Sequence, residues 1–521
     1  MSFWQVFKLS VSDQGFLENV VYLSATFGIK NLLASVLFLT IPFLFNAFKF
    51  SKVWKIVSAI ITVLSLLLIW LLQTKAVILS IIVFGFVFSL VVYLRQKKNI
   101  RHSVFKIAAV AAFIFISIIG VVTFQNRQKF YHLFDKKSST ERLFIWDNSV
   151  QMIKEHAVFG VGGGNWQINV PKYGLNNCPT PAIKEGIQTL QRPHNDFLWI
   201  FCEMGIIGFL AYAGIFISVL YHSVKLLKKH ANDEYVWLYS TLFAGVIGYV
   251  MIAFVDFPLE RIEHQVLLLT IFSMVTAGYY KNVQNLNRTP MLITAASFGL
   301  LLFVTVLFSA TVSIKRSIGE FHSQKIYTNE SKANWPRLIA EANNAINSFY
   351  VIDPMSAPIE WYKGVALFSQ GNIDDARVSF EKAYSIHPYN MHVINNLASC
   401  YESVKDHEKA IKYYQMALHI SSEFEEARLN LSAVYFNTQQ FEKAFEIIDE
   451  CHVNSKDPKY ASFLPVILNA FIKTKLNEQQ KEKLENKEPN SFKSMNALLV
   501  HLYFDAKAKN RKFDVHVLDS L

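Results

Sequence analysis

The sequence predicts an all-α protein in two parts: a polytopic membrane domain of about eight helices, followed by a soluble α-solenoid. Two observations support this prediction. Apolar residues make up 52% of the 521 residues and the mean hydropathy is +0.25, which is too apolar for an ordinary soluble protein. These residues form runs of membrane-spanning length only up to about residue 313, and beyond that point the chain becomes polar and repetitive.

Eight stretches before residue 313 are long and apolar enough to cross a bilayer, which takes roughly 20 residues per helix. Together they define a predicted membrane domain at 29–313, interrupted by a long polar loop at 125–195. The predicted spans cover 29–48, 55–73, 76–94, 104–124, 196–222, 235–255, 263–280 and 291–313.

Lysine and arginine residues concentrate in every second loop, and this asymmetry predicts the orientation. The short loops of the other set carry only Lys75 and Arg261. Basic loops stay in the cytoplasm, so we predict a multi-pass protein of a bacterial inner (cytoplasmic) membrane. Its periplasmic parts are then the N-terminal segment 1–28, the loop 125–195 and everything after 313. The residues of the basic loops are Lys49, Lys52, Lys55, Arg95, Lys97, Lys98, Arg101, Lys106, Lys225, Lys228, Lys229, Lys281 and Arg288.

The remaining composition excludes several classes of protein. Net charge is +11, but no stripe of basic residues interleaved with aromatics appears, so we predict no nucleic-acid partner. The four cysteines form no CxxC pair and no metal-ligand spacing, and we interpret them as packing residues. Residues 1–16 lack the basic and apolar segments of a cleavable signal peptide.

The C-terminal region repeats with a period of 34 residues, in copies that begin at Ala357, Met391 and Glu425. This period is the signature of tetratricopeptide repeats, helix–turn–helix units that stack into a superhelix. We predict such repeats over 323–458, including a degenerate first copy, and a helical cap over 459–521. Arrays of this kind usually bind a protein partner; a structural spacer is the alternative. The aligned columns are Ala376, Ala410 and Ala444; Phe380, Tyr414 and Ile448; Leu367, Tyr401 and Tyr435; and Gly364, Ala398 and Ser432.

The loop 125–195 is long for a connection, and long ordered loops are commonly functional. Its glycines between Gly160 and Gly164 could suggest a phosphate cradle. No Lys-Ser/Thr follows them and no strand precedes them, so we predict a turn after a helix instead. The loop ends in "RPHND", Arg192 to Asp196, at the start of an apolar helix. Polar groups there cost free energy unless water, a partner or a substrate satisfies them.

The spacing of residues at this helix start resembles the superfamily of O-antigen ligases, O-antigen polymerases and bacterial protein O-oligosaccharyltransferases. Its motif is His-[Asn/Ser/Gln], nine residues, Gly, two residues, then Gly, Thr or Tyr. Here His194-Asn195 is followed by nine residues, Gly205, two residues and Gly208. The resemblance covers about residues 20–280. The other matching positions are Arg142, Trp146, Gly160–Gly164 and a Gly-x-x-Asn segment in "TFGIKNLLAS", Thr26 to Ser35.

This resemblance implies a membrane glycosyltransferase that moves a glycan from undecaprenyl diphosphate to an acceptor on the periplasmic face. The acceptor is a lipid A-core, a growing glycan or a protein, and the motif favours a ligase over a polymerase or a protein O-oligosaccharyltransferase. A noncatalytic scaffold that organises an envelope complex is the alternative from another class. Family members usually carry several more helices before "TFGIKN", so the resemblance implies a chain that is short at its N-terminus.

The chemistry of such a donor predicts the residue types at the site. Its diphosphate lies at the membrane interface, where cations would hold it and stabilise the charge of the leaving group. The acceptor hydroxyl needs a base, and histidine titrates near neutral pH. We therefore predict His194 as the base and Arg142 as a second catalytic residue, with no metal or other cofactor. The predicted substrate-binding residues are Lys75, Arg192, Asn195 and Arg261.

Each of these residues also has an ordinary structural interpretation. His194 could cap a helix or bond a lipid headgroup, and Asn195 is a good helix N-cap. Arg142 could form an ion pair, and interfacial arginines such as Arg192 often anchor to lipid. Many family members have an arginine where this chain has Lys75, which lacks the bidentate fork that suits phosphate. We also predict a buried polar contact for Glu203 and a salt bridge between Asp256 and Arg261.

Overall fold

The computed structural model describes residues 30–95, 136–229, 233–284, 292–451, 455, 457–476, 495–508 and 513. Every regular element in these ranges is helical, which confirms the predicted all-α fold. The predicted span 104–124 and the segment 1–28 lie outside the described residues. The chain divides into two compact units, which we call the membrane unit (Met1–Trp166 and Arg192–Pro290) and the repeat unit (Gln167–Gln191 and Met291–Leu521).

The membrane unit contains seven of the described helices. Its helices coincide with the predicted spans, except for α4, which lies inside the predicted polar loop because its sequence is too charged to be read as a span. The helices are α1 (Lys30–Ala47), α2 (Lys52–Leu72), α3 (Lys75–Arg95), α4 (Lys136–Glu155), α5 (Asp196–Lys229), α6 (Asp233–Ala253) and α7 (Ile262–Tyr279).

Six described helices are long and apolar enough to cross a membrane: α1, α2, α3, α5, α6 and a helix of the repeat unit, α8 (Leu292–Ser331). The predicted span 263–280 forms α7, but this helix begins with Glu263, His264 and Gln265 and does not reach the same apolarity. Multiple membrane crossings are therefore supported by length and composition.

Helices α1, α3 and α6 contribute a cluster of aromatic side chains to the core of the membrane unit. The Phe45 and Phe84 rings meet edge to face at 5.5 Å, and the Phe88 and Trp237 rings at 5.0 Å. Such edge-to-face pairs add to the free energy gained by burying the rings. The Trp237 indole N–H also donates to the carbonyl of Phe45 at 2.9 Å, so α6 is fixed to the end of α1.

The ends of the helices meet as the charge pattern predicts. The Arg95 guanidinium at the end of α3 donates from Nε to the carbonyl of Leu227 at 3.0 Å and from Nη2 to that of Lys228 at 2.9 Å. A cation on the last carbonyls of a helix is favoured by the helix dipole. At the other end, Ser35 of α1 bonds His264 of α7 at 2.6 Å. The basic residues of α3 and α5 thus share one end of the bundle.

The repeat unit is a stack of helix pairs, which confirms the predicted repeats. Its column residues Ala376, Ala410 and Ala444 have no exposed surface. A Cβ on Gly364 would lie 2.6 Å from the Phe380 ring, so only glycine allows this close approach. After α8 the helices are α9 (Trp335–Ala345), α10 (Ile359–Ser369), α11 (Ile373–Ile386), α12 (Met391–Ser403), α13 (His407–Ile420), α14 (Glu425–Asn437), α15 (Phe441–Asp449), α16 (Pro458–Lys475) and α17 (Met495–Ala508).

Helix α8 extends the predicted span 291–313 without a break to Ser331, where it becomes part of the degenerate first repeat. The Tyr350 side chain lies against this helix and donates its hydroxyl proton to Ser323 at 3.0 Å. The segment 167–191 of the long polar loop, which we call the strap, also belongs to the repeat unit. Its Leu175 N–H, for example, donates to the carbonyl of Ile420 at 2.7 Å.

The predicted orientation can be tested with reporter fusions after Lys229 and after Ser331. A reporter that fluoresces only in the cytoplasm is expected to give signal after Lys229 alone. A phosphatase that is active only outside the cytoplasm is expected to work after Ser331 alone. Both expectations follow from the basic ends of α3 and α5. The reverse pattern in whole cells would contradict the orientation.

Candidate active site

His194 lies in a turn directly before α5, in a backbone conformation that non-glycine residues rarely adopt. Its φ is +53°, in the left-handed region. The residues on both sides are fixed: the indole N–H of Trp146 donates to the carbonyl of Pro193 at 2.8 Å, and Asn195 Oδ1 accepts the Leu198 N–H at 2.9 Å. Such strain persists only where surrounding contacts impose it, and it is common at functional sites.

Asn195 therefore acts as the N-cap of α5, the structural role considered for it above. The side chain is buried, and its oxygen is already occupied by a backbone N–H. The next residue, Asp196, is fully buried and accepts the Leu259 N–H at 3.0 Å. The bond between Leu259 and Asp196 attaches the start of α5 to the loop between α6 and α7.

Phe257 in that loop contacts both His194 and Arg192. The His194 and Phe257 rings meet edge to face at 5.1 Å, and the Arg192 guanidinium carbon lies 5.0 Å from the centre of the Phe257 ring. An arginine over an aromatic face is attracted by the ring quadrupole. Phe257 thus brings the loop between α6 and α7 into contact with both the histidine and this cation.

Arg192 is also paired with Glu260. Its Nη2 donates to Glu260 Oε1 at 2.7 Å, and its Nε donates to the other carboxylate oxygen. This is the bidentate geometry that arginine adopts with carboxylate or phosphate. A phosphate bound by Arg192 would have to compete with Glu260 or share the guanidinium with it.

The surroundings of His194 disfavour its protonated form. Burial contributes most, followed by the positive charges of Arg142 and then Arg192, and together they lower the pKa of His194 to about 4. Its Nδ1 is buried and has no hydrogen-bond partner among the residues with described placement. At neutral pH the imidazole is therefore uncharged, and its buried Nδ1 is left without a hydrogen-bond partner among the described residues.

Asp256 is a second buried group that interacts with Arg142. Burial raises the pKa of its carboxyl group, while the Phe257 N–H, the Arg142 charge and a hydrogen bond from Asn31 oppose this effect. The predicted salt bridge to Arg261 is not present within the described parts of the chain, because Asp256 is turned toward α1 and Arg142. Arg142 thus acts electrostatically on both His194 and Asp256.

Two of the predicted substrate-binding cations, Arg261 and Lys75, are not among the partners described above for His194, Arg192 and Asp256. Arg261 precedes α7, and its Nε is buried with no hydrogen-bond partner in the described ranges. Lys75 is exposed at the first position of α3, and no contact between described residues joins it to His194. Arg142, Arg192 and Asn195 are thus grouped with His194. In the same described parts, no cluster of three His, Cys, Asp or Glu side chains has the arrangement of metal ligands.

The motif glycine Gly205 permits a break in α5. Its φ is +63° and its ψ is −165°, which are not helical values, and a Cβ would lie 2.1 Å from the carbonyl oxygen of Val158. Gly205 thus packs closely against the turn after α4, and not against another helix. Only glycine combines this conformation with this contact.

The glycine-rich turn at 157–164 supplies hydrogen-bond partners for backbone carbonyls of α5 that precede the break. The Val161 N–H donates to the carbonyl of Cys202 and the Gly162 N–H to that of Glu203, both at 2.9 Å. The buried Glu203 carboxylate accepts the Trp166 N–H at 3.1 Å, which is the polar contact predicted for it. The turn thus has a structural role at the break, consistent with rejecting a phosphate cradle.

Sequence reasoning missed three side chains of this cluster as site residues: Asp196, Phe257 and Glu260. For Asp196 the sequence provided only a weak indication of a site residue, because an acidic residue directly after His-Asn is also typical of a helix cap. The loop between α6 and α7 was noted only for its charges, since no spacing in the sequence shows that it meets the start of α5.

Comparison with known proteins supports the resemblance seen in the motif. The profile of the O-antigen ligase family matches residues 60–213, and a tetratricopeptide-repeat profile matches residues 392–424. The first match includes His194, Asn195, Gly205 and Gly208, whereas Arg261 lies beyond it. No curated protein matches the chain. Resemblance to the O-antigen ligase superfamily with C-terminal tetratricopeptide repeats is thus confirmed.

The role of Gly205 predicts a position-specific effect of adding one methyl group. Gly205→Ala should destabilise the protein by about 2 kcal/mol or more, because it combines left-handed strain with a clash against Val158. Gly214→Ala is the matched control, since a Cβ there meets nothing within 4 Å and the residue lies in the same helix. Thermal unfolding in detergent should show a lower Tm for Gly205→Ala alone; equal Tm values would contradict this account.

Proposed function

We propose that this chain is a membrane glycosyltransferase that moves a glycan from a lipid diphosphate, undecaprenyl diphosphate, to an acceptor hydroxyl at the periplasmic face. The observation that carries the proposal is the uncharged, strained His194 with its unpartnered Nδ1, held beside Arg142 and Arg192. The match to the O-antigen ligase family supports the glycan-transfer class. The inner membrane of a bacterium is the location that fits this donor.

In the proposed reaction, the acceptor oxygen forms a bond to the anomeric carbon of the donor sugar. The bond between that carbon and the phosphate oxygen breaks, and its electron pair leaves with the lipid diphosphate. The proton of the acceptor hydroxyl goes to the free nitrogen of His194. Arg142 and Arg261 bind the diphosphate and stabilise the charge that develops on it.

The donor itself would activate the base. In the free protein, Arg142 and Arg192 contribute to the low pKa of His194. A bound diphosphate brings negative charge next to these guanidiniums and so offsets their effect on the imidazole. The pKa of His194 should then rise toward neutrality, which makes the histidine a better proton acceptor only when the donor is present. Because its pKa rises only when the donor binds, His194 would be a weak base toward an acceptor hydroxyl in the absence of donor.

The remaining predicted residues take supporting roles in this proposal. Asn195 caps α5 and so orients His194, whereas Arg192, paired with Glu260, fixes the loop beside it. Lys75 would contact the donor at the membrane interface, away from the histidine. The motif favours a ligase, with a lipid A-core acceptor; a growing glycan or a protein acceptor would make the chain a polymerase or a protein O-oligosaccharyltransferase.

Two variants test the catalytic assignment. His194→Gln should lower glycan transfer by about 100-fold or more, because it removes the base. Arg142→Gln should cause a loss of about 100-fold by removing charge stabilisation. His156→Gln is the matched control, since this exposed histidine lies in the same outer loop and pairs only weakly with Glu155 at 3.9 Å. Transfer is measured as restoration of surface glycan in a deficient strain, at equal protein levels.

Wild-type levels of glycan with both His194→Gln and Arg142→Gln would contradict the catalytic assignment. Restoration by both variants would instead favour the noncatalytic scaffold, which needs the fold and not these side chains. Loss with His156→Gln as well would show that the loop, not the chemistry of His194, is being disturbed.

The pH dependence of the reaction should differ between free and donor-bound protein. Because kcat/KM reports on the free protein, its rising limb should have an apparent pKa of about 4, set by deprotonation of His194. The limb of kcat should lie at higher pH, because the bound diphosphate raises the pKa of the same group. Both profiles are measured with purified protein and a lipid-diphosphate donor. Coincident limbs would contradict this effect of the bound diphosphate.

A further inference from the structure

The strap crosses three successive turns between repeats. Its end near Gln191 meets the first turn, where Thr189 Oγ1 donates to the carbonyl of Met355 at 3.1 Å. Its middle meets the second turn, where the carbonyl of Gly186 lies 2.9 Å from Nε2 of His392. Its beginning meets the third turn at Ile420, through the Leu175 N–H. The strap therefore runs along the array against the direction of the repeats, with about one attachment region per repeat.

Apolar side chains anchor the strap between these polar contacts. Leu175, Ile183 and Leu190 are each less than a tenth exposed. They line a cavity with Met391 and His392, at the start of α12. Burial of three aliphatic side chains from an otherwise irregular segment is the behaviour of a packed element rather than of a solvent-exposed linker.

The third turn holds the strap most firmly. Ser421 Oγ donates to the carbonyl of Lys184 at 2.7 Å, and the Lys184 ammonium pairs with Glu423 at 2.5 Å. The Ser422 N–H donates to the side-chain oxygen of Asn176, also at 2.7 Å. Two segments of the strap, around Asn176 and Lys184, are thus attached to one turn. Several of the bonds involve the backbone of the strap, so they fix its path as well as its side chains.

The strap is continuous with the residues around the candidate base. It begins directly after Trp166, whose N–H is bound by Glu203, and ends at Gln191, followed by Arg192 and then His194. Gln191 itself donates through Nε2 to the carbonyl of Pro354 at 3.3 Å. Restraining Gln191 removes conformational freedom from the residues that follow it, including the strained His194.

We propose that the repeat array acts on its own chain: its edge, formed by the three turns, binds the strap and thereby positions the turn that carries His194. Lys184, Gly186 and His392 are then positioning residues, and this edge of the array is occupied by a segment of the same protein. Ordering the turn in advance removes an entropic cost from donor binding. Only the catalytic consequence rests on the proposed function; the restraint itself does not.

Two glycines of the strap provide a matched pair of variants. A Cβ on Gly186 would lie 3.0 Å from His392 Nε2 and 3.2 Å from the Phe424 ring, so Gly186→Val should displace the strap from the second turn. Gly174→Val is the control, because Gly174 has nearly the same φ, +83° against +79°, but nothing within 4 Å of a Cβ. Both variants place a β-branched residue at a positive φ, and only Gly186→Val also opposes a contact with the array.

A charge exchange gives an independent test. Lys184→Glu places two carboxylates together and should release the strap from the third turn, whereas the double variant Lys184→Glu, Glu423→Lys restores an ion pair with reversed sign. Recovery in the double variant would show that the pair acts through docking and not through overall charge. This second test remains informative if Gly186→Val fails to accumulate.

Hydrogen–deuterium exchange of the purified full-length protein measures the restraint directly. Gly186→Val and Lys184→Glu should both speed exchange in peptides from the strap and in those covering 192–199. The double variant should exchange like the wild type, and Gly174→Val should speed exchange at 192–199 less than Gly186→Val does. Faster exchange in the strap with no change at 192–199 would overturn the proposal, since the array would then hold a segment that does not restrain His194. Rapid exchange of the wild-type strap would also overturn it.

Glycan transfer by the same proteins separates this inference from the proposed function. Strap release should lower kcat/KM by about tenfold or more, because small displacements of reacting groups have large effects on rate. If His194→Gln abolishes transfer but strap release leaves it unchanged, binding of the strap by the array does not serve catalysis, although the proposed function stands. If strap release speeds exchange at 192–199 while His194→Gln is fully active, the restraint by the strap is supported and the catalytic assignment is wrong.

Discussion

The break in α5 at Gly205 is the constraint on which the arrangement of the site depends. A helix that changes direction leaves backbone groups without their usual partners, and these groups must be satisfied elsewhere. Here the turn after α4 supplies them: Val161 and Gly162 donate to α5, and the Ile206 N–H donates to the carbonyl of Ala157 at 2.8 Å. The first turns of α5 are therefore joined to α4, which carries Arg142 and Trp146. The motif glycine Gly205 and the glycine-rich turn, although distant in sequence, form the same contact between α4 and α5.

A second feature of the site is the balance of charge around His194. His194 lies beside two guanidiniums: Arg192 is paired with Glu260, and Arg142 interacts electrostatically with Asp256, the pKa of which is raised by burial. Buried charges are tolerated only when they are compensated in this way. The positive charge of Arg192 beside the histidine is compensated by Glu260. An anion that binds Arg192 would therefore replace a carboxylate.

Most of the fold could be predicted from the sequence, because apolar run length and the 34-residue period are local properties. The column at Ala376, Ala410 and Ala444 is an example, since each alanine is buried as the repeat requires. The site could be predicted only in part. His194 and Gly205 share one motif, but the pairing of Arg192 with Glu260 joins residues 68 positions apart and leaves no trace in the spacing. The attachment of the strap was missed for the same reason.

The order of synthesis gives the strap a further significance. The strap leaves the ribosome well before the turns that bind it, the last of which lies near Phe424. At about 5–20 residues per second, the delay is on the order of ten to fifty seconds. During that interval the membrane helices on either side of the strap are already made, while the strap lacks its binding surface. The strap therefore reaches its bound form only after the repeats that hold it have been translated and folded.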